Sequence, residues 1–343
     1  MRRLFCLLGI AASAACASPP LERFEYAEAH MGTEFRILLF AADRARADAA
    51  AAAALARIAS LDEALSDFAP QSELSRLCAR SDEGAPTAAC ALSADLRRVL
   101  ACAQEVARAS GGAFDVTVGP YVRLWRRARR QEELPSPALL ETAARSVGFE
   151  KLALEPGQSA VRLLAPEMRL DLGGIAKGFA LDEALVLLRA HGIERALLVG
   201  GGELLAGEPP PGERGWRIEL VGLEAAGESG ELVRAALSTS GDLERYVELA
   251  GKRYSHVVDP RTGEALSERR LVSVLAPSGI LADALATAVS VLGPAEGLAL
   301  AARYPGVETR VLVRSDERTR VFATPGFEGA LSCAGSGPRG SEP

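Results

Sequence analysis

The stretch "RLDLGGIAKGFALDEAL", residues 169–185, places paired glycines and a lysine between a strand-like run and a helix-like run. Apolar residues after the glycines recur at helical spacing, which predicts a helix beginning just beyond them. Glycines allow close backbone approach to a ligand, and helix N-termini attract anions. No Walker loop fits, because Lys177 precedes Gly178 and Phe179 rather than following the second glycine before Ser or Thr.

Two side chains of this stretch are candidates for binding an anionic ligand. Asp171 ends the strand-like run, and Lys177 adds a positive charge one turn into the predicted helix. The alternative is a structural strand-to-helix turn in which Asp171 caps the helix. Taken alone, the stretch leaves both interpretations open.

Outward from this stretch, runs of helix and strand signals are mixed along the chain. Tyr26–Phe40 reads as strand interrupted by Gly32, and "VELAGKRYSHV" predicts a hairpin about Ala250 and Gly251. Short strands are expected around Lys151, Val161 and Leu170. Helices are predicted at Arg44–Leu65, Ala94–Ala109, Pro135–Val147, Ile280–Leu292 and Pro294–Tyr304. The pattern predicts an α+β fold with mixed, largely antiparallel sheets and packed helices.

The composition is that of a globular protein without a general affinity for nucleic acid. Of 343 residues, 48% are hydrophobic and 24% charged, and the net charge is −6. Nucleic-acid binders usually carry a basic face. The most notable basic run, Arg126–Arg130, is interpreted as a solvated helix face balanced by Glu132 and Glu133. The tail, residues 329–343, has low complexity and is predicted to be disordered.

Residues 1–17 have the features of an export leader. A positive "MRR" precedes the short apolar run "LFCLLGIAASAA", which is too short to span a membrane. "SAAC" resembles a bacterial lipobox, in which Cys16 becomes the lipidated first residue. Cleavage after Ala17 is the alternative. The sequence therefore predicts an exported protein on the periplasmic side of a bacterial membrane, anchored through lipid.

The remaining cysteines argue against zinc and leave disulfide pairing open. Four cysteines follow the leader, at positions Cys78, Cys90, Cys102 and Cys333. No two of them form a Cys-x-x-Cys pair, and none clusters with a histidine at metal-binding spacing. In an oxidising compartment, a Cys78–Cys90 bridge across the short intervening loop is expected. Four cysteines nevertheless allow three pairings.

The segment "ILADALATAVSVL", residues 280–292, carries two polar side chains on an otherwise apolar helix. Asp283 and Thr287 are four residues apart and share one face. A carboxylate and a hydroxyl suit Mg²⁺, which takes few protein oxygens and completes its shell with water and phosphate. The alternative is a capping aspartate and a threonine hydroxyl bonded to its own helix.

The segment "GKRYSHVVDPRTG", residues 251–263, contains the strongest candidate for a group that titrates near neutral pH. His256 lies within a strand pattern, whereas His191 lies at a predicted helix end, where the dipole explains it. A histidine inside a strand is more often structural than catalytic. His256 is thus a candidate rather than an assignment on this segment alone.

Seven motifs in order resemble the ApbE family of FAD:protein FMN transferases. They are "HMGTEFRI", "SELSRL", "GGAFDVTVGPYVRLW", "DLGGIAKGFALDEAL", "LVGGGELLAGE", "LSTSGDLERYVELAGKRYSHVVDPRTGEAL" and "SVLAPSGILADALATAVSVLG". The resemblance runs from about residue 26 to residue 323. It implies a single T-fold-related catalytic domain, here residues 22–328.

The resemblance also implies a reaction and its site residues. With Mg²⁺, the FMN half of FAD is transferred to a Thr or Ser hydroxyl of an acceptor protein, and AMP leaves. His256 matches the active-site histidine of the family. The matching FAD-contacting positions are Met31, Ala113, Phe114, Asp115, Asp171, Lys177 and Val258, and the matching metal positions are Gly174, Asp283 and Thr287. Tyr121 and Trp125 are either flavin neighbours or core residues.

The resemblance leaves two alternatives to the transferase activity. One is a Mg²⁺-dependent FAD pyrophosphatase releasing FMN and AMP, and the other is a flavin-binding lipoprotein without turnover. The family suggests acceptors among subunits of sodium-pumping quinone reductases or Rnf-type complexes. One departure from the family is the arginine-rich "VRLWRRARRQ", where small residues are common, and it predicts a different cleft edge.

Overall fold

The structure is a computed structural model that describes residues 20–154, 160–223, 228–241, 246–315 and 318–331. The leader, Cys16, Cys333 and residues 332–343 lie outside these ranges. The described helices are α1 (Arg44–Leu65), α2 (Glu73–Ala79), α3 (Ala94–Ala109), α4 (Gly119–Gln131), α5 (Pro137–Ala144), α6 (Ala176–Ala190), α7 (Gly279–Leu292), α8 (Pro294–Ala301) and α9 (Phe327–Leu331).

The described strands form one large sheet and three small ones. They are β1 (Glu22–His30), β2 (Thr33–Ala41), β3 (Cys90–Ala91), β4 (Leu152–Leu154), β5 (Ala160–Leu163), β6 (Ala196–Gly200), β7 (Glu203–Ala206), β8 (Trp216–Leu220), β9 (Glu228–Leu232), β10 (Ala236–Gly241), β11 (Tyr246–Leu249), β12 (Lys252–Ser255), β13 (Arg269–Ala276), β14 (Glu308–Ser315) and β15 (Arg318–Ala323). The large sheet has the order β1-β2-β6-β7-β10-β13-β14-β15. Every pairing among these described strands is antiparallel, so the predicted α+β fold with a largely antiparallel sheet is confirmed.

The large sheet has a hydrophobic layer on each face. Strand side chains alternate between faces, so Leu198 of β6 joins the main core while Leu197 joins a second cluster. Helices α1, α6 and α7 pack over the main core. The hairpin β8–β9 and helix α9 cover the other face. The sheet thus presents α6 and α7 side by side, and these two helices carry the predicted anion and metal residues.

The tail begins later than the sequence predicts. Residues 329–331 belong to α9, and Leu331 is buried against Gly230 of β9. Apolar packing therefore extends the ordered domain beyond residue 328, and the predicted start of the disordered tail at residue 329 is wrong. The rest of that prediction lies outside the described residues.

The strand predicted around Leu170 does not form. The Leu170 N–H donates to Cys78 Sγ at 3.3 Å, and the Asp171 N–H donates to the Val116 carbonyl at 2.8 Å. Residues 168–172 are therefore a segment outside the sheets, bonded to α2 through Cys78 and to the short helical turn that begins at Val116. The helix predicted after the glycines is confirmed as α6.

The expected Cys78–Cys90 bridge is wrong. Both thiols are free, as is that of Cys102. Cys78 lies buried in α2 with its sulfur accepting a backbone N–H, whereas Cys90 lies in β3 opposite Val161. Burial raises the pKa of the Cys78 thiol, which keeps it protonated and unreactive.

Candidate active site at the crossing of α6 and α7

Helices α6 and α7 touch through two glycines. A Cβ atom on Gly178 would lie 2.0 Å from the Gly279 carbonyl oxygen, so only glycine permits this approach. Each helix also supplies an aspartate that binds backbone N–H groups at the start of the other. Asp283 Oδ2 accepts from the Gly178 N–H at 3.0 Å, and Asp182 accepts from Gly279 and Ile280 at 2.7 and 2.9 Å. These bonds hold the two helix starts together.

Both capping interpretations made from the sequence require revision. Asp283 does not cap its own helix but α6, and its side chain is buried. Asp171 does not cap α6, since its Oδ1 accepts from the Gly173 N–H at 2.8 Å in a tight turn. The N-cap position of α6 is Ile175, which has no side-chain bond to make.

Three of the predicted residues meet where the glycine turn faces α7. A Cβ atom on Gly174 would lie 2.7 Å from Thr287 Oγ1 and 3.4 Å from Phe114 Cε2. Asp283 and Thr287 are one turn apart on the same helix. The structure therefore brings together the Gly174 backbone, the Thr287 hydroxyl and the Asp283 carboxylate.

Lys177 lies among oxygen atoms beside this cluster. Its Nζ donates to the Gly173 carbonyl at 2.8 Å and lies 3.6 Å from Asp283 Oδ2 and 3.4 Å from Glu203 Oε1. Burial lowers the pKa of Lys177, but the two carboxylates outweigh it, so the pKa is raised above its usual value. The ammonium is therefore charged and remains within reach of an anion at the turn.

Glu203 is a member of this cluster that the sequence analysis did not predict. It follows the glycines of "VGGGELL" at the start of β7 and is 5% exposed. Burial, together with the neighbouring Asp283 charge, raises the pKa of Glu203 to about 8 against the opposing charge of Lys177. A glutamate directly after a glycine run is the sequence signal that could have identified it.

The oxygen atoms of this cluster fit a hard divalent cation. A carboxylate, a hydroxyl and a backbone carbonyl are the donors that Mg²⁺ accepts, with its other positions left to water and phosphate. Within the described ranges, no group of three or more His, Cys, Asp or Glu side chains could hold a metal ion.

Arg126 joins the glycine turn to the loop after α1. Its guanidinium binds Asp171 Oδ2 at 2.9 Å and also binds Asp67. It lies 4.4 Å from the centre of the Phe68 ring, which is 74% exposed. Burial and the Asp67 charge raise the pKa of Asp171, while Arg126 opposes them. The interpretation of Arg126–Arg130 as a solvated face is thus wrong for Arg126.

Met31 lies in the turn between β1 and β2. Met31 and Gly32 have φ values of 49° and 71°, which suit a tight hairpin turn. The Met31 N–H donates to Asp62 Oδ2 at 2.8 Å, which ties the turn to α1. Thr33 lies against Gly201, one of the glycines before Glu203. The turn therefore borders the same cluster.

The predicted residues Ala113, Phe114 and Asp115 are all buried. Asp115 Oδ1 accepts from both the backbone N–H and the hydroxyl of Thr117, each at 2.8 Å. Burial raises the pKa of Asp115 to about 6 despite these bonds. Its side chain therefore holds the turn that leads into α4, while Phe114 reaches Gly174.

His256 and Val258 belong to the segment that follows β12. His256 is half-buried and lies just beyond the strand end, not within the strand as predicted. Hydrogen bonds hold the backbone on both sides of His256. The Ser255 N–H donates to the Leu266 carbonyl, and the Leu266 N–H donates to the Val257 carbonyl. The predicted β11–β12 hairpin is confirmed.

Val258 packs in a separate small core with Tyr121 and Trp125 of α4. Trp125 Nε1 donates to the Gly263 carbonyl at 2.9 Å, which docks the "DPRTG" turn on the helix. Both aromatic residues are buried, 4% and 8% exposed, and pack together with Val258 in this small core.

Comparisons with known proteins agree on one family. A family model described as "ApbE family" matches residues 31–311. The FAD:protein FMN transferase of Treponema pallidum is 35% identical over 235 residues, or 63% of this chain and 65% of that protein's length. That of Haemophilus influenzae is 31% identical over 262 residues, 74% of this chain and 75% of the relative.

Solved structures show the same fold. The flavin transferase ApbE from Vibrio cholerae superposes with a TM-score of 0.81 at 28% identity, covering 90% of this chain and 99% of that one. The apo form of the Pseudomonas stutzeri flavinyl transferase ApbE gives a TM-score of 0.81 at 28% identity, covering 92% and 98%. The likeness therefore extends over nearly all of the solved chains.

Proposed function

This chain belongs to the ApbE family, and we propose that it is an FAD:protein FMN transferase. The acceptor hydroxyl oxygen forms a bond to the phosphorus of the FMN half of FAD. The bond between that phosphorus and the AMP phosphate breaks, and AMP leaves with the electron pair. The observation that carries this proposal is the convergence of a half-buried lysine, a buried carboxylate and a hydroxyl where α6 meets α7.

The residues at this crossing suit a substrate with two negative phosphates. Lys177 is charged and lies at the first turn of α6, where the helix dipole also favours an anion. The glycine turn lets the diphosphate approach the backbone closely. Bound Mg²⁺ would be held by Asp283, Thr287 and the Gly174 carbonyl, and would neutralise charge on the diphosphate. Positioning and charge stabilisation are what phosphoryl-type transfer chiefly requires.

The remaining predicted residues divide between binding FAD and accepting a proton. His256 accepts the proton of the acceptor hydroxyl as its oxygen attacks, because a Thr or Ser hydroxyl is a weak nucleophile at neutral pH. Met31, Phe114, Asp171 and Val258 line the FAD site. The exposed Phe68 ring beside Arg126 offers a flat apolar surface at its edge.

The direct test uses purified protein with FAD, Mg²⁺ and a candidate acceptor from a quinone reductase or Rnf-type complex. We expect the intact mass of the acceptor to rise by one FMN, with an equal amount of AMP released. An acceptor whose target Thr is replaced by Val is the control and should remain unmodified. Release of free FMN with AMP would instead indicate a pyrophosphatase, and unchanged FAD a binding protein; either result contradicts the proposal.

We further propose that the protein acts on the periplasmic side of a bacterial membrane and is anchored through Cys16. The lipobox-like "SAAC" supports this proposal, and more than one acyl chain would make the attachment stable. In the part of the chain that the structure describes, no helix has the length and apolar character to cross a membrane.

Replacing Cys16 by serine should release the protein from the membrane fraction, because the thiol that carries the lipid is lost. Fractionation of cells expressing wild type and Cys16→Ser, followed by immunoblotting, measures the effect. Cys102→Ser is a control that retains the lipidation site. If the wild-type protein is already found free in the periplasm, cleavage after Ala17 is the correct interpretation.

A further inference from the structure

A polar seam runs between α7 and the large sheet. Asp283, Thr287 and Ser290 are spaced by four and three residues, so they form one stripe along a helix that is otherwise apolar. Ser290 Oγ lies 3.1 Å from Ser240 Oγ of β10. The stripe therefore faces the strand that contains Ser240.

The opposing side of the seam is formed by β7 and β10. Ser238 and Ser240 are two residues apart and so point to the same face of the sheet. Glu203 of β7 pairs directly with Ser238, which places its side chain on that face as well. The contact of Glu203 with Lys177 of α6 agrees with this placement.

Two buried oxygen atoms of this seam have no hydrogen-bond partner among the described residues. They are Glu203 Oε2 and Ser238 Oγ, in residues that are 5% and 1% exposed. Burying an unpaired polar atom costs free energy, and an ionised carboxylate costs far more. The two unpaired oxygen atoms belong to directly paired residues and lie beside a cation site. This arrangement indicates that a bound ligand supplies the interaction that both atoms lack.

We propose that Glu203 is a further residue of the divalent-cation site and supplies a second carboxylate to that of Asp283. Ser238 supports it from the neighbouring strand. This inference rests on the proposed function, since the cation is the Mg²⁺ that the transferase requires. A second carboxylate raises the negative charge of the site, and charge is a main determinant of how strongly oxygen ligands retain such a cation.

The position of Lys177 is consistent with this assignment. Its ammonium lies within 3.6 Å of one oxygen from each carboxylate and donates to the Gly173 carbonyl. A positive charge thus already occupies the space between the two acidic groups. The rival explanation is that Glu203 serves only as the counter-ion of Lys177 and never binds the metal.

The experiment measures cation binding without turnover. Mn²⁺ is used as the probe, with free ion quantified by electron paramagnetic resonance, and Mg²⁺ binding is confirmed by calorimetry. Glu203→Gln keeps the shape and removes the charge, and we expect its affinity to fall by about ten- to a hundredfold. Glu231→Gln is the matched control, because Glu231 is also buried with an unpartnered Oε2 but lies in β9, outside the seam. It should bind Mn²⁺ like the wild type.

A second background separates a cation ligand from a counter-ion. In Lys177→Met the ammonium is absent, so a counter-ion role for Glu203 disappears. If Glu203 binds the cation, adding Glu203→Gln to Lys177→Met still weakens Mn²⁺ binding about tenfold or more. Equal affinities of the single and double variants would overturn the inference.

The same titrations distinguish failure of this inference from failure of the proposed site. Asp283→Asn should lose most binding if the cation site is where we place it. Loss in Asp283→Asn with wild-type affinity in Glu203→Gln refutes only the role of Glu203. Absence of binding to the wild type refutes both. Thermal unfolding of each variant without metal confirms that it is folded. If Glu203→Gln does not fold, Glu203→Asp takes its place. Aspartate keeps the charge but has a shorter side chain, so its affinity for Mn²⁺ must be lower than that of the wild type.

Discussion

Replacing Asp283 by asparagine should lower the rate of FMN transfer at least about a hundredfold at ordinary Mg²⁺ concentrations. Bound cations contribute several kcal/mol of charge stabilisation in such reactions, and each 1.36 kcal/mol corresponds to about tenfold in rate. Asparagine retains an oxygen that can accept the Gly178 N–H, so the contact between α6 and α7 survives. The charge that retains the cation is lost.

The measurement is turnover against Mg²⁺ concentration, with circular dichroism to confirm folding. Asp43→Asn is a matched control: Asp43 caps α1 by accepting the Arg46 N–H, and asparagine caps equally well. It removes one carboxylate outside the site and should leave the rate unchanged. If folded Asp283→Asn transfers FMN at the wild-type rate and with the wild-type Mg²⁺ dependence, α7 is not the metal-binding helix.

Replacing His256 by glutamine should reduce kcat by about a hundred- to ten-thousandfold while leaving cation binding intact. That range is typical for removal of a positioned proton acceptor. The reason is that a glutamine amide cannot accept the proton of the attacking hydroxyl. The variant therefore separates the proton-accepting step from the charge stabilisation that Lys177 and Asp283 provide.

The pH dependence tests this role more specifically than the rate alone. A histidine base becomes inactive as the pH falls, because the imidazolium cannot accept a proton. Wild-type kcat should therefore decline on the acidic side, and the residual activity of His256→Gln should lose that limb. His191→Gln is the control, since His191 is exposed at the end of α6. An unchanged acidic limb in His256→Gln would show that another group is the base.

Helix positions were predictable because their signals are local. The predicted helices Arg44–Leu65 and Ala94–Ala109 coincide with α1 and α3. Apolar residues at helical spacing identify the buried face, and the N-cap side chains of Asp43 and Ser93 mark the starts. The hairpin turn at Gly251 was predictable for the same reason, since glycine readily adopts its φ of 74°.

Part of the candidate site was also readable from spacing along one element. Asp283 and Thr287 share a face of α7 because four residues make about one helical turn, whatever lies opposite. The glycines before α6 predicted a close approach of the backbone to a ligand, and the structure places Gly174 next to Thr287 of α7. What the spacing could not predict is that Asp283 caps the neighbouring helix through Gly178.

The sequence by itself therefore determined helices α1 and α3, the β11–β12 hairpin and the polar pair on α7, because each depends on residues close together in the chain. Only the tertiary structure decided that the segment before α6 is not a strand, since its bonds go to Cys78 and Val116. It also decided the places of Arg126 and Glu203. Their partners lie far away in sequence, on elements whose approach is set by packing of the whole core, and no local pattern contains that information.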